Sequence, residues 1–375
     1  MPDSSRLDHA RVGIDVSVLR QFNTGTEEFI EGLVGGLAGI GMSVVGLGAD
    51  VPLDARQDRL GQPLRTRRSP IEKWSWERTG IVRAARTAGV DLLHIPYMTH
   101  PPARPGLPTI VNVHDVIPYR FSGYQRRFRD RRYFTALRSR LPLATCLVAV
   151  SQATADDFAR VFPRCSTPVV VIPNGVHESF FEPPTADGEA ELARVLEGTD
   201  RPRLLYVGGY QMHKNVDILL RAAVATLDHL DAELVLVGGA GRPELEALAG
   251  SSLKGRLRLT GRLSRPALRA LYASSTALLF PSRYEVFGLP PAQALAAGVP
   301  VAASLGPALQ EVLGEAALFA DPDDVSAWAH NVVRIVTEGE LRRRLTATGQ
   351  EQSQRFRWSA VAARYLDLYR EVSAS

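Results

Sequence analysis

The chain predicts an α/β protein built from two doubly wound parallel sheets, on three observations. Short apolar runs alternate with helical segments along all 375 residues, the βαβ signature of parallel strands flanked by helices. At about 150 residues per domain, that length divides into roughly two domains. Near the middle the alternation stops at Glu182-Pro183-Pro184-Thr185-Ala186-Asp187-Gly188-Glu189, polar and rich in Pro and Gly as an exposed linker should be.

In the first half, strands are expected at Arg11–Val16, Ser43–Leu47, Asp91–Ile95, Pro108–Val113, Thr145–Val150 and Val169–Ile172. Helices are expected between them at Phe29–Ala38, Lys73–Ala88, Phe128–Leu141 and Ala153–Phe162. The turn-rich Asn23-Thr24-Gly25-Thr26 opens the first helix. After the break, strands are expected at Leu204–Val207, Glu233–Val237, Leu257–Leu259, Ala277–Phe280, Pro300–Ala303 and Ala317–Phe319. Helices include Leu268–Ser274 and Pro290–Ala297, and the chain closes with Val325–Val336, Leu341–Ser353 and Ser359–Val372. Ligands of such sheets sit outside the strand C-termini, so two facing domains place a site in the cleft between them.

The composition, 45% hydrophobic and 22% charged, suits buried cores and excludes a disordered chain. Against 40 Asp and Glu stand 44 Lys and Arg, a net +4, which excludes a strongly acidic protein and favours anionic partners without naming one. Two cysteines, Cys146 and Cys165, cannot build a disulfide framework, so a reducing, cytoplasmic setting is expected. No Cys/His cluster has zinc spacing. The N-terminus is polar and lacks a signal-peptide pattern. The longest apolar run, near Val286–Ala303, is broken by Gly and Pro and contains Gln293, so no membrane span is expected.

The most informative stretch is Pro281–Ser304, PSRYEVFGLPPAQALAAGVPVAAS. It leaves a strand, passes a glycine turn and enters a helix. Pro290 suits the first helical turn and Gly298 the C-terminal stop. The N–H groups near Phe287, Gly288 and Leu289 are then unpaired and, with the helix dipole, make an anion site. Glu285, just before it, cannot serve the anion and is better suited to accept hydrogen bonds from hydroxyls attached to it. From spacing alone, a plain strand–turn–helix with a capping Glu fits equally well.

This stretch resembles the retaining glycosyltransferases of family 4 (glycosyl transferases group 1), whose pattern is roughly P-S-x-x-E-G-F-G-L-P-x-x-E-A-x-A-x-G-x-P-V. LLYVGGYQMHKNVDIL (204–219) is similar to the family's strand, glycine turn and Lys-Asn, and LVLVGGAG (234–241) and LRLTGRLSRPALRALYASS (257–275) to its next two units. Leu318–Asp324 and residues 356–370 resemble its ending. In the first half the likeness is looser: Gly25-Thr26, Val113-His114-Asp115, Ala149-Val150-Ser151 and Ile172-Pro173-Asn174-Gly175.

The resemblance implies a GT-B architecture: two Rossmann-like domains that close on each other, an acceptor domain at 1–180, a nucleotide-sugar domain at 181–355, and a C-terminal helix, 356–375, crossing back. It implies a soluble, metal-independent enzyme with no cofactor, moving a sugar from a nucleoside diphosphate to an acceptor hydroxyl or amine. The acceptor class stays open among saccharides, lipid-linked molecules and small natural products. Lys214 neutralises the donor diphosphate; a cation about 4 Å from a phosphate oxygen is worth on the order of 4 kcal/mol at a partly screened site. Glu285 binds sugar hydroxyls, and His114 reaches the donor sugar's reaction centre. Gly25, Thr26, Gly209, Arg262, Leu263, Val286, Phe287, Gly288, Leu289 and Gln293 complete the donor-binding set. Three positions depart from the family: Gln293 stands where a glutamate bonds the ribose, Val286 where glycine is usual, and Gly209 where an arginine is usual. Arg262 or Arg283 could substitute for that arginine.

Other features read differently. Asp321-Pro322-Asp323 suits a turn and helix cap better than a metal site. Gly238-Gly239-Ala240-Gly241 lacks the full dinucleotide fingerprint. Between Arg120 and Arg140 stand eight arginines and one acid, Asp130, interleaved with aromatics. That segment is either a solvated face of a packed helix or a surface for an anionic acceptor or the inner membrane; no nucleic-acid motif accompanies it. Two rival functions follow: a weakly catalytic nucleotide-sugar-binding partner subunit, and a polyanion or membrane-surface binder. The acceptor loops are expected within Val51–Ser69.

Overall fold

A computed structural model describes residues 11–19, 25–48, 53–54, 70–102, 106–120, 128–196, 199 and 201–374. Two compact units divide the chain: Met1–Gly175 together with Trp358–Ser375, and Val176–Arg357.

The first unit holds a seven-stranded sheet. Its strands are β1 (Val12–Asp15), β2 (Val44–Leu47), β3 (Leu53–Asp54), β4 (Leu92–Ile95), β5 (Thr109–Val113), β6 (Cys146–Ala149) and β7 (Val169–Val171). Their order is β3-β2-β1-β4-β5-β6-β7, parallel except for β3, which runs antiparallel on β2. The helices are α1 (Gly25–Gly39), α2 (Pro70–Ser75), α3 (Ile81–Thr87), α4 (Ile117–Arg120), α5 (Phe128–Arg140) and α6 (Gln152–Val161). The expected Lys73–Ala88 helix is two α-helical pieces joined by a π-helical turn, Trp76–Gly80. Two residues are too few for periodicity, which is why β3 has no signal in the sequence.

The second unit holds β8 (Arg203–Val207), β9 (Glu233–Val237), β10 (Leu257–Leu259), β11 (Ala277–Phe280), β12 (Val301–Ser304) and β13 (Ala317–Ala320). All pairs are parallel, in the order β10-β9-β8-β11-β12-β13. This is the doubly wound order 3-2-1-4-5-6, with its switch point between β8 and β11. The helices are α7 (Ala186–Val195), α8 (Val216–Leu230), α9 (Pro243–Ala249), α10 (Arg265–Ala273), α11 (Leu289–Ala296), α12 (Pro307–Leu313), α13 (Val325–Thr337) and α14 (Gly339–Ser353). The last helix, α15 (Trp358–Ala374), returns to the first unit.

The boundaries differ from those expected. The chain enters the second unit after Gly175, five residues before 180, because Phe180 is buried there against Tyr272. It leaves after Arg357, because Phe356 packs edge-on against Phe287. The stretch 182–189 is not a simple linker either. The Thr185 side chain accepts the Gly188 N–H and starts α7, with Gly188 and Leu192 buried against the unit.

α15 is seated by steric and polar means. At Gly32 of α1 a Cβ would lie 1.9 Å from the Trp358 ring, so only glycine admits that indole. Behind it runs a buried polar chain. The Tyr369 hydroxyl donates to His94 Nδ1 (2.7 Å), His94 Nε2 donates to Asn112 Oδ1 (2.6 Å), and Asn112 Nδ2 donates to the Tyr365 oxygen (2.8 Å). These bonds fix the register of the helix over β4 and β5, and burial pushes His94 down to about 4.

Two outcomes are expected. Gly32→Ala should destabilise the protein by about 1–3 kcal/mol in urea unfolding, the usual cost of overpacking, despite better helix propensity. Between pH 6.5 and about 4, the unfolded chain takes up a proton that the folded His94 refuses. His94 should therefore account for roughly 3 kcal/mol of the stability lost across that window, so His94→Gln should show a correspondingly shallower slope there.

Candidate functional site

In the second unit the helices after β8 and β11 leave toward opposite faces of the sheet, so the two loops diverge and open a crevice at their strand ends. The β8 loop runs through Gly208 and Gly209 into a 3₁₀ turn, Met212–Lys214, and then Asn215. The β11 loop carries Arg283 and Glu285 and ends at Gly288, whose φ of 90° sets the entry into α11. Pro290 falls in the first turn of that helix and Gly298 follows its end in the left-handed region, as expected from the sequence.

The loops meet at an ion pair. Lys214 Nζ lies 2.6 Å from Glu285 Oε1, with the side chains 20% and 10% exposed. The Lys214 ammonium also stands 5.8 Å from the centre of the Phe280 ring. Phe287 turns its side chain into the core against Phe356, so only its backbone is available to a ligand. Val286 and Leu289 are half-buried, and Gln293, within α11, is buried. The carbonyl of Gly209 accepts the Tyr206 hydroxyl, and Tyr210 donates to the Val237 carbonyl at 2.9 Å while Arg242 stacks on its ring. Burial pushes the Tyr210 phenol up to about 12. Arg262 is exposed and Leu263 half-buried on the loop after β10.

Arg283 is engaged within its own unit. Its guanidinium donates to Asn215 Oδ1 at 2.9 Å and pairs with Asp323. Asp321-Pro322-Asp323 forms a turn in which Asp321 accepts the Asp323 N–H (2.8 Å), and the cap of α13 is Asp324, one residue later than expected.

Gly25, Thr26 and His114 belong to the first unit. Gly25 is the first residue of α1, with open space where a Cβ would lie. One turn on, Phe29 meets the His114 ring edge-to-face at 4.7 Å. His114 Nε2 donates to the Pro96 carbonyl at 2.9 Å, which leaves the lone pair on Nδ1, and burial pushes its pKa down. Asp115 accepts the Ile117 N–H at 3.0 Å and so organises the start of α4.

The sequence reading missed Asp15. At the end of β1 its buried carboxylate accepts from Tyr97 (2.6 Å), Trp76 Nε1 (3.1 Å) and the Ser17 N–H (2.9 Å). An aspartate inside the apolar run VGIDV was the available signal. The arginine-rich segment rests on its own unit: Leu137 of α5 is buried, and Arg138 lies over the Tyr119 and Phe162 rings. Residues 121–127 of that segment, Asn23 and Thr24, the N-terminal ten residues, and Val51–Ser69 apart from Leu53–Asp54 lie outside the described residues. Among the described residues, no helix is long and apolar enough to cross a membrane, and no group of His, Cys, Asp and Glu is placed to hold a metal ion.

Two Rossmann-like units with C-terminal-edge loops of this kind define a GT-B protein. Solved structures agree: sucrose-phosphate synthase from Thermosynechococcus elongatus matches with a TM-score of 0.74 at 23% identity over 96% of this chain and 98% of its own. Anabaena HepE in complex with UDP-glucose gives 0.70 at 16% identity over 96% and 99%. The Glycosyltransferase Family 4 model matches residues 23–180 and the Glycosyl transferases group 1 model residues 201–338; the chain belongs to this family. D-inositol 3-phosphate glycosyltransferase from Xylanimonas cellulosilytica is 34% identical over 241 residues, 60% of this chain and 57% of that protein. O-antigen chain mannosyltransferase B from Escherichia coli is 26% identical over 269 residues, 70% of each. The match to the first of these spans little more than half of its length.

The pair predicts a stability signature. Glu285→Gln should cost about 1–2 kcal/mol in chemical denaturation at low salt, by leaving the Lys214 ammonium without its carboxylate. Adding Lys214→Met should recover most of that loss.

Proposed function

We propose that the protein transfers a glycosyl group, with retention of configuration and without a metal, from a nucleoside-diphosphate sugar to an acceptor hydroxyl or amine. The observation that carries this reading is the Lys214–Glu285 pair at the switch point of the second sheet, beside the N-terminal turn of α11.

The chemistry follows from charge. As the bond from the anomeric carbon to the phosphate oxygen breaks, negative charge grows on the leaving diphosphate. Lys214 and the backbone amides of Phe287, Gly288 and Leu289, which precede the two prolines of the first turn of α11, are the groups to hold it, fixed in place before the reaction. A phosphate oxygen then takes Glu285's place at the ammonium, and the carboxylate is released to accept hydroxyls of the donor sugar. Retention requires the acceptor oxygen to bond on the face the diphosphate leaves, with the acceptor's proton passing to the departing phosphate. His114, neutral with its lone pair on Nδ1, is an acceptor for a sugar hydroxyl. Gln293, if it bonds the ribose, does so as a neutral amide, weaker than the usual carboxylate.

A thermal-shift panel of UDP-, GDP-, dTDP- and ADP-sugars should single out the donor, since a ligand at 100 times its Kd adds about 2.7 kcal/mol to stability. With that donor and an identified acceptor, Lys214→Ala and Glu285→Ala should each cut transfer at least about tenfold. Unchanged turnover in both variants would refute the assignment at these residues.

A further inference from the structure

We infer that Asn215 is a positioning residue that sets Lys214 against the diphosphate, acting through a strap that includes Arg283; this rests on the function proposed above. Lys214 ends a short 3₁₀ turn whose outer side is open, with Met212 92% exposed. The turn is held at the His213 carbonyl, which accepts the Arg283 N–H, and at Lys214, which pairs with Glu285. A further anchor is the next residue, which is 2% exposed and left-handed, with φ 56° and ψ 35°.

The amide of Asn215 is used on both sides. Nδ2 donates to the Pro281 carbonyl (3.3 Å) at the exit of β11 and to the Pro322 carbonyl (2.6 Å) in the turn before α13. Oδ1 accepts from Arg283 Nη2 (2.9 Å). Arg283 closes the strap: its backbone N–H donates to the His213 carbonyl (2.8 Å), and its guanidinium pairs with Asp323. Two segments, the β11 exit loop at 281–283 and the turn at Pro322, are thereby tied to the residue that follows Lys214, and Glu285 lies two residues beyond Arg283. The strap sets the spacing between ammonium and carboxylate.

Asparagine alone suits both demands. Glycine takes the left-handed conformation but has no amide. Aspartate tolerates the conformation yet would turn an acceptor oxygen toward two carbonyl oxygens. Alanine fails on both counts.

The test is a double-mutant cycle on binding. The wild type, Lys214→Ala, Asn215→Gly and the double variant are titrated calorimetrically with UDP, GDP, ADP and dTDP. The tightest of these ligands should bind about tenfold more weakly to Lys214→Ala and to Asn215→Gly. In the Lys214→Ala background, Asn215→Gly should cost less than about twofold more, because the two residues act as a unit. Arg283→Gln should reproduce the loss seen with Asn215→Gly, and it decides alone if Asn215→Gly is unfolded at the assay temperature. Wild-type affinity in these variants, or a full additional loss on top of Lys214→Ala, would overturn the positioning role. No binding of any of the four to the wild type, or no effect of Lys214→Ala, would instead overturn the functional reading beneath it.

Discussion

The arrangement of the second unit follows from the divergence of two neighbouring parallel strands. β8 and β11 lie side by side, yet their helices depart on opposite faces, so the loops above them cannot pair as a hairpin would. A lysine and a glutamate bridge the gap at 2.6 Å. An ion pair that is only partly buried contributes little to stability by itself. Its position is set instead by an asparagine amide, two carbonyls and a second ion pair, Arg283 with Asp323. The charged pair is thus held against a scaffold of hydrogen bonds that does not depend on the pair itself.

The first unit solves a different problem. Its sheet is covered in part by a helix that arrives from the far end of the chain, after the whole second unit has been made. Apolar burial alone would hold such a helix without fixing its rotation. The indole of Trp358 in the slot at Gly32, and the chain from Tyr369 through His94 and Asn112 to Tyr365, supply the register. A buried polar chain of this kind is favourable only when every member is satisfied, which ties the neutral form of His94 to the docked state.

Much of the local structure at the candidate site was legible along the chain. The strand–turn–helix at 277–296 is local, so Pro290, Gly298 and the position of Glu285 follow from spacing and turn chemistry. Lys214 drew attention through its flanking pattern. The partners of Arg283, Asn215 and Asp323, were not visible in the sequence because they are distant along the chain, and a surface arginine looks the same whether it meets a phosphate or an amide. Asp15 and Tyr97 escaped for the same reason, since their bond spans 82 positions. The linker was placed too late because Pro and Gly mark both exposed loops and the starts of helices.

Alternating apolar runs, capping residues and glycine turns determined two α/β units, most of their strands and the loops of the candidate site, because those signals act over a few residues. Tertiary structure alone decided where the units divide, that α15 belongs to the first of them, and which charged groups neutralise each other. These outcomes depend on long-range packing, where a buried ring or an amide with three partners outweighs any local preference.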